Sequence, residues 1–270
     1  MISYIAQKNS KLSKSVLKAY PLISYTAFMK LLRNKDVKVN GQRVNKDVDV
    51  LLGDKVELYY NLPEKSCYSQ IFCDDNIVII NKESGVTSED IFDVIKSQYK
   101  GAKFIHRLDR NTSGLMVFAL NEVAEKELLS RFKNHAFDKR YTCVVKGTPN
   151  PNKALLTAYL IKDKDQKFVK IFDKKVAGSV MIKTGYEVLS KNEETSCLRV
   201  RLYTGKTHQI RAHLAHIGHP ILGDEKYGDT DFNKKYKSKK QKLIASSLTF
   251  YFDKDSPLYY LNEKCFSLEK

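Results

Sequence analysis

The chain has 270 residues, enough for one large hydrophobic core or for a large and a small domain. Its hydrophobic fraction of 42% excludes a disordered chain, and no apolar run approaches the roughly 18 to 20 residues that a transmembrane helix needs. Lys and Arg number 47 against 31 Asp and Glu, a formal net charge of +16, and the commonest use of such an excess is attraction to nucleic-acid phosphates. Charge alone leaves a generally lysine-rich proteome and an anionic membrane surface as alternatives, although no basic amphipathic helix favours a membrane.

Cysteine usage and the N-terminal residues bear on the cell compartment. Five cysteines are an odd count, they are widely spaced, and none forms a Cys-x-x-Cys pair. This pattern predicts reduced thiols and no zinc ribbon. The N-terminal residues show no charged region followed by an apolar stretch, so we expect a cytoplasmic protein without a secretory signal.

Residues 1–62 are predicted to form a small α+β domain. Their pattern indicates two amphipathic helices, a basic hairpin about an Asn-Gly pair and a last strand after a Gly-Asp turn: residues 11–19, 28–33, 37–44 and 56–60. Residues 61–66 (NLPEKS) are then predicted to be a linker.

Residues 63–270 have a strand-rich pattern. Two helices are predicted at residues 89–99 and 122–132. Strands are predicted at residues 70–73, 77–82, 115–120, 141–145, 155–161, 168–171, 179–189 and 197–203. Long alternation with few helices predicts an α+β fold with a mixed, mainly antiparallel sheet and flanking helices.

Two later stretches of this second domain are also predicted. A cap at Thr207 would begin a helix that runs to Gly218. The lysine-rich residues 234–242 are predicted to be a mobile surface loop that could touch phosphate.

Three polar, aperiodic segments could carry chemistry. Asp109 stands between two arginines just before a buried strand, on an irregular segment fixed to a rigid element. A surface ion pair would explain a lone Asp109 equally well. The other two segments are residues 139–142, which open a strand, and residues 203–220.

Metal and cofactor chemistry are not indicated. The last polar segment holds four histidines within twelve positions: His208, His213, His216 and His219. No cysteine is near them, and neither His-Glu-x-x-His nor a closed four-ligand spacing occurs. Phosphate-binding loops, dinucleotide fingerprints and nucleophile elbows are also missing from the sequence. We therefore predict no metal and no cofactor.

The motifs of the two predicted domains resemble those of two known families. Residues 28–33, 37–44 and 52–56 resemble an S4 domain, a small module that binds structured RNA. Residues 106–115 (HRLDRNTSGL) resemble the signature of the RluA-type pseudouridine synthases. Residues 204–224 look like that family's later motif, and residues 75–85 are similar to its opening strand and turn.

The resemblance implies an enzyme that converts uridine in RNA to pseudouridine without metal or cofactor. By it, Asp109 is the catalytic aspartate, Arg211 its buried arginine partner, and Tyr141 the tyrosine that stacks on the uracil. Arg107 matches the arginine that enters the RNA stack when the target nucleotide is extruded. Whether Asp109 attacks C1′ or removes a sugar proton stays open. The expected partner is large-subunit ribosomal RNA, with transfer RNA as the runner-up, and we expect a monomer.

The sequence departs from the family pattern at three places, none of which removes a catalytic group. Glu83 replaces a proline, Lys206 replaces an arginine, and residues 243–245 lack a histidine. Two other functions stay open from the sequence, a non-catalytic RNA-binding protein and a metal-dependent nuclease. An intact set of Asp109, Tyr141 and Arg211 argues against a mere RNA-binding protein.

Overall fold

The computed structural model describes residues 1–20, 23, 25–60, 67–134, 136–163 and 168–269. The helices are α1 (Leu12–Ala19), α2 (Tyr25–Arg33), α3 (Ser88–Gln98), α4 (Glu122–Lys133), α5 (Gln209–His216) and α6 (Thr230–Lys235). The first strands are β1 (Ile2–Ile5), β2 (Ser10–Lys11), β3 (Val37–Val39), β4 (Gln42–Val44), β5 (Asp49–Val50) and β6 (Lys55–Leu58). The middle strands are β7 (Tyr68–Cys73), β8 (Ile77–Lys82), β9 (Lys103–Phe104), β10 (Ser113–Ala119), β11 (Phe137–Lys146) and β12 (Lys153–Lys162). The last are β13 (Val169–Phe172), β14 (Val180–Lys191), β15 (Thr195–Leu202), β16 (Leu243–Phe250) and β17 (Cys265–Ser267).

The N-terminal part packs two helices on a small antiparallel sheet of strand order β1-β6-β3-β4. Asn40 and Gly41 both have positive φ, +50° and +82°, as the two-residue turn between β3 and β4 requires. Apolar side chains of α1 and α2 form their own core with this sheet, among them Val16, Phe28 and Leu32. No helix in the described part of the chain is long and apolar enough to cross a membrane.

One large sheet organises the rest of the chain. Its strand order is β13-β12-β14-β15-β11-β16-β10-β8-β7, with β9 beside β10 and β17 beside β16. β10 and β16 are parallel, whereas the other pairs are antiparallel. The predicted α+β fold with a mixed, mainly antiparallel sheet is therefore confirmed.

Helices cover both faces of β10, which explains its continuous apolar sequence. Met116 and Phe118 belong to the same apolar cluster as the buried face of α3. Leu115 and Val117 point to the opposite face and belong to the cluster that includes Leu128 of α4. The chain between β9 and β10, which carries Asp109, is thus anchored on a strand that is buried on both faces.

The predicted bounds of the helix after Thr207 were wrong. α5 spans Gln209–His216 rather than Thr207 to Gly218, and its N-cap is His208, without a side-chain cap. The turn before α5 is closed instead by Gln209, whose Oε1 accepts hydrogen bonds from Thr204 Oγ1 and the Lys206 N–H.

The lysine-rich stretch is not simply a loop. Its first two residues, Lys234 and Lys235, end α6. Gln241, near its other end, is buried and donates a hydrogen bond to Thr112 Oγ1, three residues after Asp109. The predicted linker at residues 61–66, and with it the predicted domain boundary, lies outside the described residues.

Candidate active site

The Asp109 loop is held by buried hydrogen bonds on both sides. Ser88 Oγ bonds to the Leu108 carbonyl and to the Leu108 N–H, at 2.8 and 2.9 Å. His106, which is buried, accepts the Val117 N–H on Nε2. Gly114 follows with φ +117°, packed directly on the backbone of Ala245 in β16. These contacts fix where the Asp109 carboxylate can lie.

A buried lysine ties the loop to the neighbouring turn. Lys82 Nζ, at the end of β8, donates to the carbonyls of Glu83, Val86 and Arg110, at 2.8 to 3.1 Å. Burial lowers the pKa of Lys82 to about 8, although the nearby Asp109 charge acts in the opposite direction. Lys82 thus stabilises the backbone around Asp109 rather than pairing with its carboxylate.

Arg211 on α5 bridges two carboxylates. Its Nη1 lies 2.9 Å from Asp109 Oδ2, while Nε and Nη2 lie 2.7 and 2.9 Å from the two oxygens of Asp224. The side chain of Arg211 is 8% exposed and that of Asp224 is 0% exposed, against 21% for Asp109. Asp224 therefore fixes the guanidinium, and the guanidinium presents one N–H to the more accessible Asp109.

The charges of this cluster stabilise one another. Burial alone would lower the pKa of Arg211, but hydrogen bonds and charges from Asp224 and then Asp109 raise that pKa above its usual value. Burial likewise raises the pKa of Asp224, yet Arg211 and the N–H groups of Tyr227 and Lys226 hold it below its usual value. Arg211 and Asp224 are both ionised at neutral pH, so Asp109 faces a permanent cation.

His208 and Tyr227 form a second wall beside Asp109. His208 Nδ1 lies 2.9 Å from the Tyr227 hydroxyl, which also accepts the Val169 N–H, and Nε2 lies 3.9 Å from Asp109 Oδ2. Burial lowers the pKa of His208, against the charge of Asp109, so the ring is neutral at pH 7. Because the Tyr227 oxygen already accepts the Val169 N–H, its hydroxyl can donate to Nδ1, and a neutral ring in that tautomer carries its hydrogen on Nε2, facing Asp109.

The four side chains predicted for the site line one cavity of about 150 Å³: Arg107, Asp109, Tyr141 and Arg211. Tyr141, on β11, is 6% exposed, and burial together with the Asp109 charge raises the pKa of its hydroxyl. Arg107 stands at the rim, 67% exposed, with Nη1 3.2 Å from Glu89 Oε1. The cavity is thus an apolar and cationic pocket around one carboxylate.

The histidines of the last polar motif go to separate partners. His213 bonds to Thr184, His216 to Asp173 and His219 to the Lys146 carbonyl. Among the described residues, no group of three or more His, Cys, Asp or Glu is placed to hold a metal ion.

Sequence reasoning missed Asp224 as the partner of Arg211, His208 as a wall of the site, and Lys139, which also lines the cavity. Asp224 falls at the end of the resembled motif, and that position was the available signal for it.

Comparison with known proteins identifies the family. Residues 76–216 match the family model described as RNA pseudouridylate synthase. The chain is 32% identical over 254 residues to "Ribosomal large subunit pseudouridine synthase C" of Rickettsia conorii, covering 83% of this chain and 84% of the relative. It is also 32% identical over 188 residues to "Dual-specificity RNA pseudouridine synthase RluA" of Escherichia coli, covering 64% of this chain and 82% of the relative.

Two solved human structures share the fold. RNA Pseudouridylate Synthase Domain Containing 1 matches with a TM-score of 0.62 and 23% identity, over 70% of this chain and 80% of the other. RNA Pseudouridylate Synthase Domain Containing 4 matches with a TM-score of 0.57 and 23% identity, over 67% and 84%. Together with the sequence relatives, these matches lead to one conclusion: the chain belongs to the RluA-type RNA pseudouridine synthases.

Proposed function

We propose that this enzyme isomerises specific uridines of large-subunit ribosomal RNA, with Asp109 as its catalytic residue. The observation that carries the catalytic part is the Asp109–Arg211–Asp224 arrangement, a partly exposed carboxylate held against a fixed cation inside a cavity. The name of the Rickettsia conorii relative supports the ribosomal substrate. Transfer RNA is the second candidate. The Escherichia coli relative is named a dual-specificity RNA pseudouridine synthase, so relatives of this chain are not restricted to one substrate specificity.

The reaction breaks the bond between C1′ and N1 of uridine, turns the uracil, and joins C1′ to C5. C5 loses its proton and N1 ends protonated, so that the product is an isomer of the substrate. An ionised Asp109 can attack C1′ or remove a sugar proton, and both routes need the carboxylate charged and aimed. Arg211 supplies that orientation, because Asp224 holds two of its N–H groups and leaves Nη1 for Asp109.

Tyr141 is proposed to stack on the uracil while it is detached and turned. Because burial raises the pKa of its hydroxyl, Tyr141 keeps its proton at neutral pH and can donate a hydrogen bond to the base. His208, with Nε2 toward Asp109, offers a second neutral donor in the same cavity.

Arg107 is proposed to replace the target nucleotide in the RNA stack. Extruding a nucleotide costs a few kcal/mol, which contacts with an inserted side chain offset. Arg107 is free for this because its ion pair with Glu89 is exposed, and such pairs contribute about 1 kcal/mol or less.

The N-terminal domain, residues 1–62, is proposed to be an S4-like RNA-binding module attached to a catalytic domain, residues 63–270. A groove of about 1230 Å³ separates α1 from α3 and is lined by five lysines: Lys8, Lys14, Lys18, Lys96 and Lys100. In the described part of the chain, none of these five ammonium groups forms an ion pair with a carboxylate. Asp93 also lines this groove, and its charge interacts with that of Lys96. The remaining excess of positive charge suits an RNA backbone.

The test is pseudouridine mapping of total RNA from cells that lack the protein, complemented with wild type, Asp109→Asn or Asp173→Asn. Asp173 is a matched control, since its side chain is 85% exposed and its ion-pair partner among the described residues is His216. We expect sites in large-subunit ribosomal RNA to vanish in the deletion, to return with wild type and Asp173→Asn, and to stay absent with Asp109→Asn.

Each part of the proposal has its own failure. Return of the sites with Asp109→Asn would refute its catalytic role, and sites confined to transfer RNA would replace the ribosomal substrate. A protein that binds RNA while no pseudouridine depends on it would be a non-catalytic RNA-binding protein. Activity that chelators abolish would favour metal chemistry instead.

A further inference from the structure

Lys139 lies at the edge of the catalytic cavity, and no carboxylate in the described ranges of the chain forms an ion pair with it. It lies two residues before Tyr141 on β11, so both side chains point to the same face of the sheet and both line the cavity. Its Nζ lies 4.8 Å from the ring centres of Phe132 and Phe137. Among the described residues, no carboxylate or carbonyl oxygen accepts a hydrogen bond from it.

A second cavity, of about 560 Å³, opens on the other side of Lys139. It shares five lining residues with the catalytic cavity: Arg107, Lys139, Leu202, Gly205 and Lys206. The two cavities therefore adjoin each other. If the target base of an RNA strand occupied the first cavity, an adjacent nucleotide of that strand would reach the second.

The walls of the second cavity combine apolar surface with positive charge. Val180 and Met181, at the start of β14, line it with 43% and 48% of their surface exposed, although both are apolar. Phe132 and Phe137 also line it, with their rings stacked on each other at 3.9 Å and Lys139 Nζ 4.8 Å from each ring centre. Every base has an apolar face, so this second cavity can accept any base while the ammonium group of Lys139 binds a phosphate.

The charged side chains that line the second cavity are all positive in the described part of the chain. None of the described residues that line it is acidic. Asp138, the neighbour of Lys139 on β11, points to the other face of the sheet, where Arg140 and Arg201 each lie 2.8 Å from its carboxylate. His106 also lines the second cavity, but burial lowers its pKa well below its usual value, so the ring adds no charge at pH 7.

We propose that this second cavity is a subsite for the nucleotide next to the target uridine, with its phosphate on Lys139 and its base against Val180 and Met181. The subsite rests on the proposed function, since it takes the RNA whose uridine enters the Asp109 cavity. Lys139 acts there as a positioning residue for the backbone, and it carries no proton for the reaction.

The first experiment pairs a lysine with a phosphate. Single-turnover kcat/KM is measured for wild type, Lys139→Met and Lys191→Met on an RNA fragment that carries a mapped target, with neutral methylphosphonate linkages placed singly beside the target. Lys191 is a matched control, because it is exposed at the far end of the strand that carries Val180 and Met181. Melting temperatures of all variants check the fold, and Lys139→Arg checks rescue by charge.

One linkage is expected to couple to Lys139. Replacing that phosphate by a neutral linkage lowers kcat/KM of wild type and of Lys191→Met about tenfold. On unmodified RNA, kcat/KM of Lys139→Met is already about tenfold below that of wild type, and the neutral linkage does not lower it further. The slope of log Kd against log salt falls by about 1 in Lys139→Met, and Lys139→Arg restores most of the loss. If every neutral linkage reduces Lys139→Met as much as wild type, Lys139 binds no flanking phosphate and the subsite is refuted.

A second experiment needs no turnover. An oligouridylate with 4-thiouridine beside its central residue is cross-linked to the purified protein, and the labelled peptides are mapped. We expect the peptide with Val180 and Met181 to be labelled, and the yield to fall about tenfold in Lys139→Met but not in Lys191→Met. Labelling elsewhere overturns the subsite, whereas labelling here in a protein without isomerase activity overturns only the proposed function.

Discussion

Asp224→Asn tests whether Arg211 must be held from behind in order to aim Asp109. Asp224 Oδ1 accepts the N–H groups of Lys226 and Tyr227 as well as Arg211 Nη2, so the amide oxygen of an asparagine will keep that position. The amide nitrogen then replaces Oδ2 and faces Arg211 Nε, at the place of a 2.7 Å hydrogen bond. The asparagine NH2 and the Arg211 Nε–H are both donors, so they repel each other where Oδ2 accepted before, and the guanidinium will shift.

The expected losses of stability and of rate follow from breaking the Arg211–Asp224 ion pair. Breaking a buried ion pair costs about 3 to 5 kcal/mol, and Arg211 keeps Asp109 as a second carboxylate, so we expect about 3 kcal/mol of lost stability, at the lower end. A displacement of about 1 Å in a positioning group can cost about 100-fold in rate, which corresponds to about 2.7 kcal/mol at 1.36 kcal/mol per tenfold.

The assay is single-turnover release of tritium from RNA labelled at C5 of uridine, because C5 loses its hydrogen when it bonds to C1′. Urea unfolding gives the stability of the same preparations. Asp231→Asn serves as the control, since the Asp231 side chain is 95% exposed and we expect no effect on rate. An Asp224→Asn enzyme within threefold of the wild-type rate and with unchanged stability would refute the reasoning.

Three further outcomes are expected. Gly114→Ala, at φ +117° against the backbone of Ala245, should lose about 3 kcal/mol of unfolding free energy in urea, and a loss under 1 kcal/mol would contradict the tight packing. Tyr141→Phe keeps the ring, so RNA affinity should stay within twofold while the single-turnover rate falls about 100-fold; an unchanged rate would remove the hydroxyl from the mechanism. Burial lowers the pKa of Lys139 to about 8 and a bound phosphate would raise it, so RNA affinity should be full below pH 8 and decline above it. Lys139→Arg should abolish that decline, measured as Kd between pH 7 and 9.5.

Local patterns were sufficient for most elements of the fold. The Asn40-Gly41 pair predicted its hairpin, since few other residues adopt positive φ at both turn positions. The apolar run before Leu120 predicted β10, because a strand buried on both faces has no polar alternation. α5 was predicted to begin too early, because the bonds of the Gln209 side chain to Thr204 and Lys206 close a turn that no spacing rule describes.

The sequence by itself determined the motifs, and the tertiary structure decided how they meet. Asp109 and the polar motif with Arg211 can be read from the printed chain, yet they stand 102 positions apart. Their 2.9 Å contact joins the loop before β10 to α5, and only the folded chain brings these two segments together. The roles of Asp224, His208 and Lys139 depend on which partners the folded sheet brings to them or leaves away from them. Burial, charge balance and hydrogen-bond geometry are properties of that three-dimensional arrangement, and no local pattern of residues contains them.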